Sequence, residues 1–379
     1  MSRGVMVGAG SRGYTRFLGW MVFLLAVALS LTACGGGSGG SGDGGAVAAD
    51  SNAGCTLTAQ EIAAIGNIND LPPECLAQFP VPENSLLGRM FILGTQVDSA
   101  SGALRIFVVG TDSDGNPLQL ADFQTATVSI AGSPVDPGLV SVEPVADGDD
   151  VLSLGFSTDY STSISDAELN AITSVYSLIL DKLSPPSLPL VMEGEVINFS
   201  NSVVVQQDWT EDAALLQAAL QRDDSFIQEN TALYDALGVS LQRDLALDYD
   251  GLVERCRPAH MLIVFTDGVE NASVTYTKDT LLPIIDDSRV VMIMLGNLYA
   301  DKNELIELAG DRGAFAYAYN LVYIQNVVQD WAGSLSHMVK FILDPATGFD
   351  TGAITIELGS ETVVVERPVD GFCETPPVI

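Results

Sequence analysis

Side chains that carry oxygen atoms are concentrated where two apolar segments of the chain end. The apolar segment 151–156 is followed by a short Asp-x-Ser-x-Ser sequence, and the apolar segment 261–265 is followed by Thr and Asp. A third candidate lies in the loop before an amphipathic stretch between these two places. The residues that could converge on one cation are Asp159, Ser161, Ser163, Thr231 and Asp267. Because this set contains no His or Cys, it suits Mg²⁺ or Ca²⁺ rather than zinc or copper.

The segment that contains these residues alternates between predicted strands and predicted helices. The predicted strands are 151–157, 192–199, 202–207, 261–266, 289–295 and 314–319. The predicted helices are 166–183, 211–222, 231–246, 277–285, 302–310 and 321–341. This alternation is typical of an α/β fold with a doubly wound, mostly parallel six-stranded sheet flanked by helices, with one antiparallel edge strand after Asn201. Ligands of such sheets bind at the carboxyl ends of the strands, where Asp159 and Asp267 are expected.

The candidate residues resemble the metal-ion-dependent adhesion site of the von Willebrand factor type A domain, a Rossmann-like domain that is also found in integrins. The family pattern has Asp-x-Ser-x-Ser on the first strand–helix loop, a Thr on a middle loop and an Asp after a central strand. The sequences of segments 231–236 and 265–271 also look like those of bacterial members. The resemblance covers roughly residues 150–343, and Ile164 stands where relatives often carry Met.

The resemblance implies a role for each candidate ligand. Ser161 and Ser163 are expected to coordinate the cation directly, and Thr231 is expected to do so in the high-affinity state. Asp159 and Asp267 are expected to hold water ligands of the cation. The implied cation is Mg²⁺, with Mn²⁺ and Ca²⁺ as alternatives, and a carboxylate of a protein ligand is expected to fill its last coordination position.

The chain on both sides of this segment alternates apolar and polar residues, as strands do. We interpret residues 87–149 as part of an immunoglobulin-like β-sandwich and residues 344–379 as the strands and tail that complete it. Since two strands alone are marginally stable, the α/β domain at 150–343 is expected to be inserted in the sandwich, or else to follow it.

The first residues have the pattern of an export signal. Residues 1–33 combine a basic leader with a short apolar run, which is typical of a signal peptide, although a plain transmembrane anchor is an alternative. The end of this segment resembles a bacterial lipobox, which implies lipidation of Cys34. Residues 34–53 begin with that cysteine and continue as a flexible Gly- and Ser-rich tether. Gly35 after the cysteine favours the outer membrane, so the expected location is the cell envelope or cell surface.

Four further cysteines indicate disulfide bonds in an exported protein, with three possible pairings. Cys55 and Cys75 bracket a short predicted helix in segment 54–86, so we favour the Cys55–Cys75 bond. Cys256 would then pair with Cys373.

Composition and the absence of several motifs exclude other classes of function. The net charge of −33 disfavours nucleic acid and anionic membranes as partners, so the expected membrane contact is the lipid anchor alone. No phosphate-binding loop is present downstream of the leader, so we expect no nucleotide. The histidines are His260 and His337, and neither is expected to reach the candidate ligands, so we expect no enzyme activity.

Two classes of function remain. We favour a surface-displayed adhesion module that binds an acidic residue of a protein ligand through the cation. The alternative is a structural or assembly component of a cell-envelope complex, in which the metal only orders the loops. Binding that a chelator abolishes, in a domain that stays folded, would separate the two.

Overall fold

The computed structural model describes residues 83–98, 101–145, 151–183, 191–247, 259–267, 270–288, 290–297, 300–317 and 321–365. The predicted signal peptide, the tether and the predicted cysteine pairs lie outside these ranges. The cysteines concerned are Cys34, Cys55, Cys75, Cys256 and Cys373. No helix within the described ranges is long and apolar enough to cross a membrane.

The strands and helices are numbered in chain order over the described residues. The strands are β1 (Glu83–Asn84), β2 (Met90–Val97), β3 (Leu104–Gly110), β4 (Thr127–Ile130), β5 (Ser133–Pro134), β6 (Val140–Pro144), β7 (Val151–Asp159), β8 (Val191–Phe199), β9 (Val203–Thr210), β10 (Ala259–Thr266), β11 (Val291–Gly296), β12 (Ala314–Tyr317), β13 (Val339–Leu343), β14 (Ile354–Leu358) and β15 (Glu361–Val365). The helices are α1 (Leu120–Phe123), α2 (Asp166–Leu183), α3 (Ala213–Ala219), α4 (Leu233–Leu247), α5 (Lys278–Asp287), α6 (Lys302–Ala309) and α7 (Leu321–Leu335).

The largest sheet has seven strands in the order β1-β12-β11-β10-β7-β8-β9. Strands β12, β11, β10, β7 and β8 are parallel, and β9 is antiparallel to β8. The predicted α/β fold with a mostly parallel sheet is confirmed, and each of the six predicted strands is present. The seventh strand, β1, pairs antiparallel with β12 at the opposite edge. Its two residues fall in the predicted segment 54–86, and a strand of this length leaves no periodic signal in a sequence.

Helices cover both faces of this sheet. Apolar side chains of α2, α3 and α7 form one core with the sheet, and those of α4, α5 and α6 form the core on the other face. Helix α2 is positioned by a capping box, in which Ser165 N–H donates to Glu168 Oε2 (2.8 Å) and Glu168 N–H donates to Ser165 Oγ (3.3 Å). This cap starts α2 directly after the Asp-x-Ser-x-Ser turn and therefore fixes the direction in which the turn leaves β7.

Two four-stranded sheets form a sandwich beside the α/β layer, in the orders β2-β3-β13-β6 and β15-β14-β4-β5. Their facing side chains share a core in which the rings of Phe123 and Phe341 meet edge to face, with centroids 6.3 Å apart. Strand β14 pairs with β4, so chain segments from before and after the α/β layer share one sheet. Phe91 of β2 also contacts Trp331 of α7, which joins the sandwich to the α/β core.

The last predicted helix, 321–341, is wrong at its carboxyl end. Helix α7 ends at Leu335, and β13 follows it in the sandwich, between β3 and β6. Apolar residues continue through this stretch, so periodicity alone does not separate a buried helix from a buried strand. Pairing with strands that lie about 200 residues earlier in the chain decides the conformation.

Candidate functional site

Asp159 is the last residue of β7 and is fully buried at the carboxyl edge of the large sheet. Its Oδ1 accepts a hydrogen bond from Ser161 N–H (2.8 Å), which turns the chain sharply after the strand. Its Oδ2 accepts from the hydroxyl of Thr266 (2.7 Å), the last residue of the neighbouring strand β10. Both carboxylate oxygens are therefore held in place by the ends of two adjacent parallel strands.

The two serines of the turn lie next to each other. Ser161 Oγ and Ser163 Oγ are 2.9 Å apart, with Ser161 buried and Ser163 exposed. The turn is held against a second loop because Thr162 N–H donates to the carbonyl oxygen of Gln228 (2.8 Å). The Ser161 hydroxyl thus lies on the buried side, near Asp159, and the Ser163 hydroxyl lies on the solvent side.

Asp267 follows β10 directly and is 0% exposed. Neither of its carboxylate oxygens has a hydrogen-bond partner in the described part of the chain. Burial raises the pKa of Asp159 to about 6, hydrogen bonds from Ser161 and Thr266 oppose this shift, and the charge of Asp267 adds to it. The two carboxylates therefore lie close enough to repel each other inside the protein.

Thr231 is buried on the loop that precedes α4. Its N–H donates to Asn271 Oδ1 (2.8 Å) and its carbonyl accepts from Asn271 N–H (3.0 Å). The next residue, Ala232, donates to the carbonyl of Ser200 (2.7 Å) at the end of β8. Among the described residues, the Thr231 hydroxyl makes no hydrogen bond to the other four candidate ligands. Its loop is brought to the site by main-chain groups of residues 231 and 232, which bond to Asn271 and Ser200.

Three loops thus meet at the carboxyl ends of the adjacent strands β7 and β10, and they carry all five predicted residues. Direct contacts join Asp159 to Ser161 and Ser161 to Ser163. The electrostatic effect on Asp159 places Asp267 nearby. Thr231 is tied to the segment that follows Asp267.

Several residues that support the site were missed by sequence analysis. Glu270 accepts hydrogen bonds from Tyr234 N–H (3.0 Å), Ala272 N–H (2.9 Å) and Ser273 N–H (2.7 Å), and it thereby joins the start of α4 to the loop after β10. Asp235 accepts from the backbone of residues 274–276 in the same way. These acidic side chains stabilise the loops through hydrogen bonds. The one sequence signal for this role is that they lie close to Thr231 and Asp267 in the chain.

The donor set fits a small divalent cation. It offers two carboxylates and three hydroxyls, all hard oxygen ligands. The described residues contain no group of three or more His, Cys, Asp or Glu side chains that could hold a metal. His260 lies at the start of β10, with its Nδ1 2.9 Å from Asp244 Oδ2, and His337 follows α7. Neither histidine is at the carboxyl ends of β7 and β10.

Comparison with known proteins gives one family and a set of similar structures. Residues 154–329 match the model of the von Willebrand factor type A domain. No curated protein matches the chain. One similar solved structure is proximal thread matrix protein 1 from the mussel byssus, with a zinc-occupied MIDAS motif, which has 19% identity and a TM-score of 0.40 over 54% of this chain and 50% of that one. This chain spans about half the length of the mussel protein.

Two bacterial structures are also similar to this chain. The protein BatB from Bacteroides thetaiotaomicron has 14% identity and a TM-score of 0.38, over 49% of this chain and 98% of that one. A von Willebrand factor type A protein from Catenulispora acidiphila has 11% identity and a TM-score of 0.39, over 68% of this chain and 50% of that one. Residues 154–329 are thus similar to the von Willebrand factor type A domain, and the mostly parallel sheet with helices on both faces agrees with this match.

Proposed function

We propose that this domain binds one divalent cation and uses it to hold a carboxylate of a protein ligand. The cation is Mg²⁺ in our proposal, with Mn²⁺ or Ca²⁺ as alternatives. Its ligands, direct or through water, are Asp159, Ser161, Ser163, Thr231 and Asp267.

The observation that carries the proposal is that the Asp267 carboxylate is buried without a hydrogen-bond partner among the described residues. A fully buried carboxylate normally has a cationic partner or several hydrogen-bond donors, because transfer of a charge from water to the protein interior is very unfavourable. Asp267 has neither among the described residues, and the buried Asp159 lies beside it. A bound cation would neutralise both carboxylates at once.

The hydroxyls give the cation its remaining contacts with the protein. Ser161 and Ser163 are suited to direct coordination, since hydroxyls are neutral and leave much of the cation's charge uncompensated. Asp159 and Asp267 then act through water ligands, and Thr231 joins the coordination when a protein ligand is bound. The bound cation supplies a strong attraction for an incoming carboxylate.

The exposure of Ser163 supports an external ligand. The turn that carries it lies at the surface, so one side of the site faces solvent and a partner side chain can approach. The site also has no histidine at hand to act as a general base, which favours binding over catalysis. The function that we propose is therefore adhesion and not an enzyme reaction.

The location follows from the N-terminal sequence. In our proposal Cys34 is lipidated and anchors the protein in the cell envelope, at the outer membrane or the cell surface. Residues 35–53 act as a tether that lets the domain reach a partner. Direct membrane contact is limited to this anchor.

Metal titration tests the first step. Calorimetry with Mg²⁺ and with Mn²⁺ should show one site, and Asp159→Ala should remove it. Asp166→Ala is a matched control, because Asp166 is an exposed carboxylate a few residues away that pairs with Arg222. An unchanged isotherm in Asp159→Ala would contradict the assignment.

Capture of partners tests the second step. Immobilised protein should retain an envelope protein in Mg²⁺ and release it in chelator, while circular dichroism shows that the fold is intact. Thr231→Ala should weaken this retention and leave the affinity for the metal nearly unchanged. Retention that persists in chelator would favour the structural role, in which the metal only orders the loops.

A further inference from the structure

A cleft lies at the amino ends of strands in the large sheet, whereas the candidate metal site lies at the carboxyl ends. It has a volume of about 590 Å³, which is within the range of ligand sites. Its walls are β2, β15, the turn between α5 and β11, and the turn between α6 and β12. These turns precede the amino ends of β11 and β12, whereas Asp159 and Asp267 lie at carboxyl ends.

The cleft is lined by the edges of two strands. β15 is the exposed one, with Thr362 and Val364 exposed, whereas Met90 and Phe91 of β2 are buried. Consecutive residues 89–92 of the β2 region and 362–365 of β15 line it, whereas the face of a strand would contribute only alternate residues. Within the described residues, β2 pairs only with β3 and β15 only with β14. An unpaired strand edge presents N–H and C=O groups that an extended peptide can bind.

Two arginines line this cleft without an ion pair at contact distance among the described residues. Arg89 and Arg312 form no ion pair with any described residue. The other arginines whose side chains the structure describes, Arg105, Arg222 and Arg243, each pair with at least one carboxylate. In a chain with 49 acidic and 16 basic residues, an unpaired guanidinium is unexpected. Two of them in one cleft indicate a site for an anionic group.

Both guanidiniums are fixed by neutral contacts. Arg89 donates to the carbonyl of Gly313 (3.2 Å) and lies 4.6 Å from the ring centroid of Phe91. Burial lowers the pKa of Arg89, and the charge of Glu361 opposes this shift. Arg312 donates to the carbonyl of Ser288 (3.1 Å). These contacts hold the side chains in place without neutralising their charge.

The rest of the lining limits the kind of ligand. Asp286 and Asp311 also line the cleft, so its local charge is close to balanced and a highly anionic ligand gains little. Val363 and Val364 add an apolar wall, and Val364 is 47% exposed. A ligand that fits is extended, partly apolar and carries a carboxylate at a defined position.

We propose that this cleft binds a short extended segment of a partner protein, whose backbone lies along the edge of β15 and whose carboxylate is held by Arg89 and Arg312. Arginine suits this role because its planar guanidinium can bind a carboxylate through two hydrogen bonds. The site is independent of the cation.

A blocked peptide, acetyl-Val-Glu-Val-Glu-Val-amide, tests the proposal with the purified full chain. Calorimetry should show binding in Mg²⁺ and equal binding in chelator. Arg89→Gln and Arg312→Gln should each weaken it about tenfold, since each removes a hydrogen bond to a charged group. Arg105→Gln is the matched control, because Arg105 lies in the same sandwich, is paired with Asp98 and does not line the cleft.

Other outcomes overturn the proposal. The peptide with Gln in place of both Glu residues should bind at least tenfold more weakly, and equal binding would exclude carboxylate recognition. No binding at millimolar peptide, or loss of binding in chelator, would also contradict it. Circular dichroism checks that the variants fold. If Arg89→Gln does not fold, Arg312→Gln still tests the proposal, because Arg312 is exposed and its substitution should not disturb the core.

Discussion

Buried acidic side chains occur in two places on neighbouring strands of the large sheet, and their surroundings differ. Glu195 of β8 accepts a hydrogen bond from Arg243 Nε (2.8 Å), and Asp244 of α4 lies against His260 of β10. At the carboxyl edge of the sheet, the donors to Asp159 among the described residues are a hydroxyl and a backbone N–H. Asp267 has no partner at all among the described residues.

The difference shows where each site obtains its positive charge. Burial opposes ionisation of the carboxyl groups in both places, as the raised pKa values of Glu195 and Asp159 indicate. The first place carries its own cationic side chain, because Arg243 pairs with Glu195 Oε2, although Glu195 Oε1 has no hydrogen-bond partner among the described residues. The second place offers only oxygen ligands among the described residues, so in our proposal its cation comes from solution. We interpret the first as a structural pair, and we propose the second as a binding site.

Removal of Arg243 should have the largest effect on stability. Arg243→Met leaves the buried Glu195 charge without its partner, so the free energy of unfolding should fall by about 4 kcal/mol at pH 8. Urea denaturation measures this change. The double variant Arg243→Met with Glu195→Gln should regain most of the lost free energy of unfolding. If Arg243→Met alone loses less than about 1 kcal/mol, the contrast between the two places is wrong.

The stability of the protein should fall as pH rises, because of Glu195. Burial raises the pKa of this side chain to about 7 in the folded protein, although Arg243 opposes the shift, and the ordinary value is 4.5. The folded state therefore holds the proton more tightly, so this contribution is complete below the ordinary value and is lost as pH rises to about 7. The loss should reach about 3 kcal/mol.

The pH experiment compares denaturation of the wild type and Glu195→Gln between pH 5 and pH 8. The difference between the two proteins isolates the contribution of Glu195 from that of Asp159, whose pKa is shifted in the same direction. If both proteins have the same pH profile, Glu195 does not titrate in this range.

The effect of Asp267→Asn on stability should depend on the metal. In chelator the substitution removes a buried charge without a partner, so the free energy of unfolding should rise by about 2 kcal/mol. In Mg²⁺ the wild type should regain this difference, because it binds the cation and the variant does not. The control Asp166→Asn should change stability by much less, since that carboxylate is exposed. A loss of stability in chelator would show that Asp267 has a partner in the protein.

Thr266→Val should have the smallest effect. The substitution keeps the shape of the side chain and removes the hydroxyl that donates to Asp159 Oδ2 (2.7 Å). We expect a loss of about 1 kcal/mol in chelator and a modest loss of metal affinity. A variant with unchanged stability and metal affinity would indicate that the Ser161 contact alone positions Asp159.

The sequence predicts the α/β fold well because its strands are long and its helices are amphipathic. The limits of α2 at Asp166–Leu183 agree with the prediction, since Ser165 and Glu168 form a capping box that is visible in the sequence. β13 and β1 could not be predicted, because their conformations depend on strands that are far away in the chain.

The candidate ligands could be found from sequence because they follow strand ends with a fixed spacing. Thr266 could not, because threonine is common in strands and nothing marks its hydroxyl as a donor to Asp159. The contacts that Asn271 and Glu270 make with the start of α4 also depend on how two loops meet in space.

The central claim is that the buried carboxylates at the carboxyl edge require a cation from solution. The most direct test is the free energy of unfolding of the purified protein, measured in chelator and at increasing Mg²⁺ concentrations. We predict that it rises by about 1.4 kcal/mol for each tenfold increase above the dissociation constant. This rise should be absent in Asp159→Ala and in Asp267→Asn. Equal stability of the wild-type protein in chelator and in saturating Mg²⁺ would contradict the claim.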